Sequence, residues 1–92
     1  MITAANVTTS SSIVVPANVK RVALLIQNTS DTPIYLKFDN STTALTTSNG
    51  FLLGISESLQ FATQETQCFD PVYALHGSTG TKVLRIQEFE RL

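Results

Sequence analysis

A chain of 92 residues with six basic and seven acidic side chains, 14% charged in all and with a net charge of −1, has room for one domain and one core, and it lacks the basic field that holds nucleic acid or an anionic membrane. One cysteine, Cys68, and one histidine, His76, exclude an intrachain disulfide and a Cys/His metal cage. A domain this small is marginal without such aids, so oligomerisation is the remaining way to gain stability.

Ser and Thr together supply 22 of the 92 residues. Polarity carried by hydroxyls instead of charges suits pleated strands and surfaces that become buried in an assembly. Residues 1–12 are small and polar with isolated apolar positions, and lack the basic and apolar regions of a secretory signal. They read as an N-terminal arm, with Ile2, Val7 and Thr8 as its candidate contacts. The alternative places Ile2 and Val7 in an edge strand.

From Ile13 the apolar period becomes that of strands. Ile13, Val14 and Val15 are stopped by Pro16, and Val22, Leu24 and Ile26 alternate with Arg21, Ala23, Leu25 and Gln27. The second set still holds Leu25, which predicts a central strand over about 20–28. The run Val22 to Ile26 is the longest apolar one, five residues where a spanning helix needs about twenty, so the expectation is a soluble protein.

The turn cluster from Asn28 to Pro33 predicts a hairpin into Ile34, Leu36 and Phe38. Residues 39–50 form a long connection ending in an Asn49-Gly50 turn signal, and connections of that length in small domains are usually functional or mobile. Asp39, Asn40, Leu45 and Asn49 within it, and Phe51 just beyond, are the candidate contacts. Strand character returns at 51–53, at Leu59 with Phe61, and at 72–75. The stretch from His76 to Thr81 predicts a second hairpin, into a last strand over 82–89 with Leu84 and Ile86 inward and Val83 and Phe89 outward. With no helical period in any window, the fold class is all-β: a small antiparallel β-sandwich or barrel, jelly-roll-like, of seven or eight short strands over 13–92. Leu24, Ile26, Leu36, Phe38, Phe61, Leu84 and Ile86 are the expected core.

Candidate chemistry is sparse. Cys68 and His76 are the one pair able to make a thiolate nucleophile, but a free Cys more often behaves as a small buried hydrophobe. Two of the seven carboxylates could supply a glycosidase pair, but sequence spacing cannot place them, and with no Trp in the chain solvated loop and edge charges are the default reading. Gly77 to Thr81 lacks the helix that follows a phosphate-binding loop. Tyr35, Phe51 and Tyr73 could form a sugar-stacking platform, though aromatics are more often core or intersubunit anchors. Neither an enzymatic role nor a cofactor is expected.

The runs Val14-Val15-Pro16-Ala17-Asn18, Lys20 to Asn28, Thr32 to Phe38, Val72 to Leu75 and Gly80 to Val83 resemble a loose family of small β-sandwich virion proteins of tailed bacteriophages, which includes capsid decoration (cement) proteins and head or tail accessory proteins. The resemblance implies a protein made in the host bacterial cytoplasm that docks on the capsid exterior. It would clamp neighbouring major capsid subunits, commonly as a homotrimer. A head-fibre, tail or baseplate accessory role and a glycan-binding module are the alternatives.

Overall fold

The alternating segments form eight strands: β1 (Ile2–Val7), β2 (Ser12–Val15), β3 (Arg21–Asn28), β4 (Ile34–Lys37), β5 (Phe51–Leu53), β6 (Ser58–Ala62), β7 (Val72–Leu75) and β8 (Lys82–Glu90). The computed structural model describes residues 2–38, 42–62 and 70–90, with residues 61 and 62 described by backbone alone, and no helix occurs among them. The strands make two antiparallel sheets, one in the order β1-β8-β3-β6 and the other β2-β7-β4-β5. The first strand thus pairs with the eighth, the second with the seventh, the third with the sixth and the fourth with the fifth. This nested order is that of a jelly roll.

The two inner faces meet in one core. Val7, Leu24, Ile26, Leu84 and Ile86 of the first sheet pack with Val15, Ile34, Leu36, Leu53, Val72 and Ala74 of the second. Five of the seven residues expected there are buried, Phe38 packs against the cluster from its margin, and the Phe61 side chain lies outside the described residues. Leu25 is half-buried on the outer face of β3, which lies between β8 and β6 as its two-sided apolar pattern predicts.

Both expected hairpins are instead crossings from one sheet to the other, since β3 and β4 lie in different sheets, as do β7 and β8. Side-chain bonding shapes the corners. Buried Asn28 donates through Nδ2 to the carbonyls of Thr32 and Leu53, and its Oδ1 accepts from the Ser30 amide and hydroxyl. His76, also buried, accepts the Ser78 N–H at Nδ1, so Nε2 carries the proton and donates to the Gly80 carbonyl at 2.8 Å. Gly80 adopts φ +74°, a conformation that costs glycine little. Outside the corner, Lys82 reaches Asp31 at 3.0 Å, and this hydrogen bond holds the Asp31 carboxyl below its ordinary value. The small stabilisation of this exposed pair is present above the ordinary carboxylate range and is lost as pH falls through the lowered value.

Residues 2–7 are not a free arm. They form β1, paired with β8 along its length from Ile2 opposite Gln87 to Val7 opposite Lys82. Val7 is fully buried in the core. The edge-strand alternative therefore describes them, and the domain begins before residue 13. Deleting residues 2–7 is expected to lower the urea midpoint of the isolated protein, because it uncovers one edge of β8 and removes Val7 from the core. An unchanged midpoint would return the segment to the role of an arm.

Candidate functional site

The two ends of the sandwich differ. At one end lie the short corners built on Asn28 and His76. At the other lie the start of β3, the end of β8, the start of β7 and the β4–β5 connection, as the strand registers require.

Arg21 ties this second end together. Its side chain is fully buried; Nε meets Glu88 Oε2 at 2.7 Å, while the terminal nitrogens donate to the Asp70 carbonyl at 3.0 Å and the Pro16 carbonyl at 2.6 Å. One guanidinium thus links β3 and β8 of the first sheet to the segments flanking β2 and β7 of the second. Its planar fork suits this task where an ammonium would not. Alternation puts Arg21 on the opposite face from Leu24 and Ile26, but a register shift between Arg21 and Ala23 turns it inward. A bulge leaves no mark in the apolar pattern, so sequence reasoning missed Arg21; Glu88, missed as well, continues the inward phase of Leu84 and Ile86, and a carboxylate in that phase was the available signal.

The β4–β5 connection, described from residue 42, folds over the outer face of the second sheet. Leu45 is buried there, outside the main core. A Cβ on Gly50 would stand 2.7 Å from Leu45 Cδ1 and 2.8 Å from Tyr35 Cβ, so only glycine lets the chain lie this close to β4. Asn49 fastens the turn, accepting from the Thr46 amide at 2.8 Å and donating to the Ala44 carbonyl at 2.9 Å. Lys37 Nζ donates to the Thr43 carbonyl at 2.8 Å and stands 4.7 Å from the centre of the Tyr73 ring. Gly50→Ala is expected to cost about 1–3 kcal/mol by overpacking, read as a lowered urea midpoint. A wild-type midpoint would show that the connection is not seated on Tyr35.

Between this connection and the end of β4 opens a groove of about 450 Å³ whose lining includes Leu36, Lys37, Phe38, Leu45, Asn49 and Phe51. Phe51 is 52% exposed at its rim, packed edge-to-face against Phe38 with ring centres 5.8 Å apart. Leu52 and Ile55 are also half-exposed, while Leu53 between them is buried in the core. With Phe51 they leave apolar side chains exposed along the edge strand β5 and the turn after it, Phe51 and Leu52 on opposite faces of the strand.

The structure therefore brings Leu45, Asn49 and Phe51 to one place. Asp39, Asn40 and Cys68 lie outside the described residues. Ile2 is 70% exposed at the start of edge strand β1. Val7 is core and is not available to a partner. Thr8 is exposed at the opposite end, where its carbonyl accepts the His76 amide and its hydroxyl bonds Ser10. Nor do the three aromatics form a platform: Tyr35 and Lys37 share the outer face of β4, with Tyr73 beside Lys37, whereas Phe51 is opposite inward-facing Leu36. Among the described residues, no cluster of three His, Cys, Asp or Glu could hold a metal ion.

Comparison with protein-family models, with curated proteins and with solved structures finds no match to this chain.

Proposed function

We propose that this chain is a non-enzymatic structural protein of a phage virion, a capsid decoration protein that lies on the outer shell and clamps neighbouring major capsid subunits. The observation that carries the reading is the apolar margin of Phe51, Leu52 and Ile55 beside the groove under the β4–β5 connection. Large apolar side chains left half-exposed along an edge strand and its turn offer contact to a partner. Aromatic residues in such a position are the usual anchors of an interface. A jelly roll supports the reading by analogy, since the architecture recurs in virion proteins, but it also occurs in lectins and enzymes. The fold presents this margin through the shortest strand, β5, which limits its use for strand pairing and leaves side-chain contact as its chemistry.

The test is cosedimentation with purified shells of the phage whose capsid this chain is proposed to decorate. The wild-type protein is expected to sediment with the shells. Phe51→Asp should retain the fold, since the ring is half-exposed, and lose binding by a factor of about 30 or more, as for loss of an interface anchor of about 2 kcal/mol. Absence of wild-type binding, or undiminished binding of Phe51→Asp, would overturn the assignment.

A further inference from the structure

We propose that the outer edge of β1 pairs with β1 of a second copy of this chain, antiparallel about a two-fold axis at Ala4, joining two four-stranded sheets into one of eight strands. The inference goes beyond the proposed function and does not rest on it. β1 ends its sheet, and among the described residues nothing pairs with its far side. Its six residues run against β8 without a register shift, and they include no charge and no proline. These are the features with which edge strands are ordinarily blunted. Of the other edges, β2 is broken by a shift between Ile13 and Val15 and runs into Pro16, and β5 has three residues. β6 leads into residues outside the described set.

A second copy is the occupant that the charge pattern favours. Beside β1, between it and β2, lies a groove of about 300 Å³ lined by Thr3, Ala5, Ile13, Val14 and Pro16. The charged residue on its wall, Glu88, is already engaged by Arg21. A charged segment laid here would be desolvated without a partner. Within this chain β3 and β8 carry charges and are paired on both sides, whereas β1 is neutral and has the matching free edge.

A two-fold axis normal to the sheet keeps each face on its own side, so opposed residues share a face. With the axis at Ala4, Ile2 stands opposite Asn6, Thr3 opposite Ala5, and Ala4 opposite its own copy. The most exposed large apolar side chain of the strands, Ile2, then gains the Asn6 side chain of the copy as a cross-strand neighbour. Arg85, beside Ala4 on β8, stands three strand spacings from its copy, about 14 Å, which is beyond the screening length of about 8 Å in physiological salt. The added strand continues the sheet across the mouth of the β1–β2 groove.

Native mass spectrometry and sedimentation of the full chain should give twice the 10.0 kDa monomer mass. Ala4→Lys, at an exposed position, sets two ammonium groups against each other at the axis and should abolish the dimer; Ala4→Glu should do the same. An equimolar mixture of the two variants should recover a mixed dimer, which only direct opposition at this position provides. A monomeric or trimeric wild-type chain overturns the pairing whatever the variants do. So does a dimer that survives both substitutions, or two folded variants that do not recombine.

Discussion

Arg21→Met is expected to cost about 3–5 kcal/mol, the range for breaking a buried ion pair by removing one partner, against a total stability of about 5–15 kcal/mol for a domain. Methionine fills much of the volume but leaves the Glu88 carboxylate buried without its cation and the Pro16 and Asp70 carbonyls without their donors. Removing the charge at the other end as well separates these contributions. The double variant Arg21→Met/Glu88→Leu should recover part of the loss, because it no longer buries an unpaired carboxylate, and should stay below wild type, because the Pro16 and Asp70 carbonyls have lost the guanidinium that bound them. Urea unfolding of the three variants provides the comparison. A single variant within about 0.5 kcal/mol of wild type would mean that the clamp does not hold the two sheets together.

The second large effect belongs to the core. Leu24→Ala and Leu36→Ala, one on the inner face of each sheet and both essentially inaccessible, should each cost about 2–5 kcal/mol through lost burial and the cavity left behind. Val22→Ala, at a half-buried position on the same strand as Leu24, is the internal control and should cost less. If Leu24→Ala and Leu36→Ala both unfold at the wild-type midpoint, the inner faces are wrongly assigned. If Val22→Ala costs as much as Leu24→Ala, the bulge between Arg21 and Ala23 does not change the strand's phase.

Strand positions and phases were legible because period two survives wherever one face of a strand is buried. The alternation of Leu24 with Ile26 and of Leu84 with Ile86 names the inner face before any pairing is known. Sheet membership was not legible. The Asn28–Pro33 and His76–Thr81 segments both reverse the chain, and a reversal reads the same whether the next strand pairs beside the last or crosses to the facing sheet. The difference is made by long-range bonds such as Asn28 Nδ2 to the Leu53 carbonyl, which no local signal announces.

The candidate site was legible in part. The length of the 39–50 connection and the Asn49-Gly50 turn pointed to the end of the molecule where Leu45, Asn49 and Phe51 now meet. That Leu45 is buried on an outer sheet face was hidden, since a single leucine among hydroxyl residues shows no period. The placement of residues 2–7 misled in the other direction. A strand made of Thr, Ala and Asn with apolar ends has too little contrast between its faces to separate an edge strand from an arm, and only Val7 enters the core.

The proposed function makes a definite statement about place and orientation. A jelly roll hosts many functions, so the weight falls on the surface near Phe51 and not on the architecture. A cryo-EM map of the virion proposed to carry this protein is the decisive measurement. Density for the eight-stranded sandwich is expected on the outside of the shell, with the β4–β5 connection and the Phe51–Ile55 segment against major capsid subunits. Density for the protein in the tail or baseplate, or on the shell with that segment facing solvent, would contradict the proposed function.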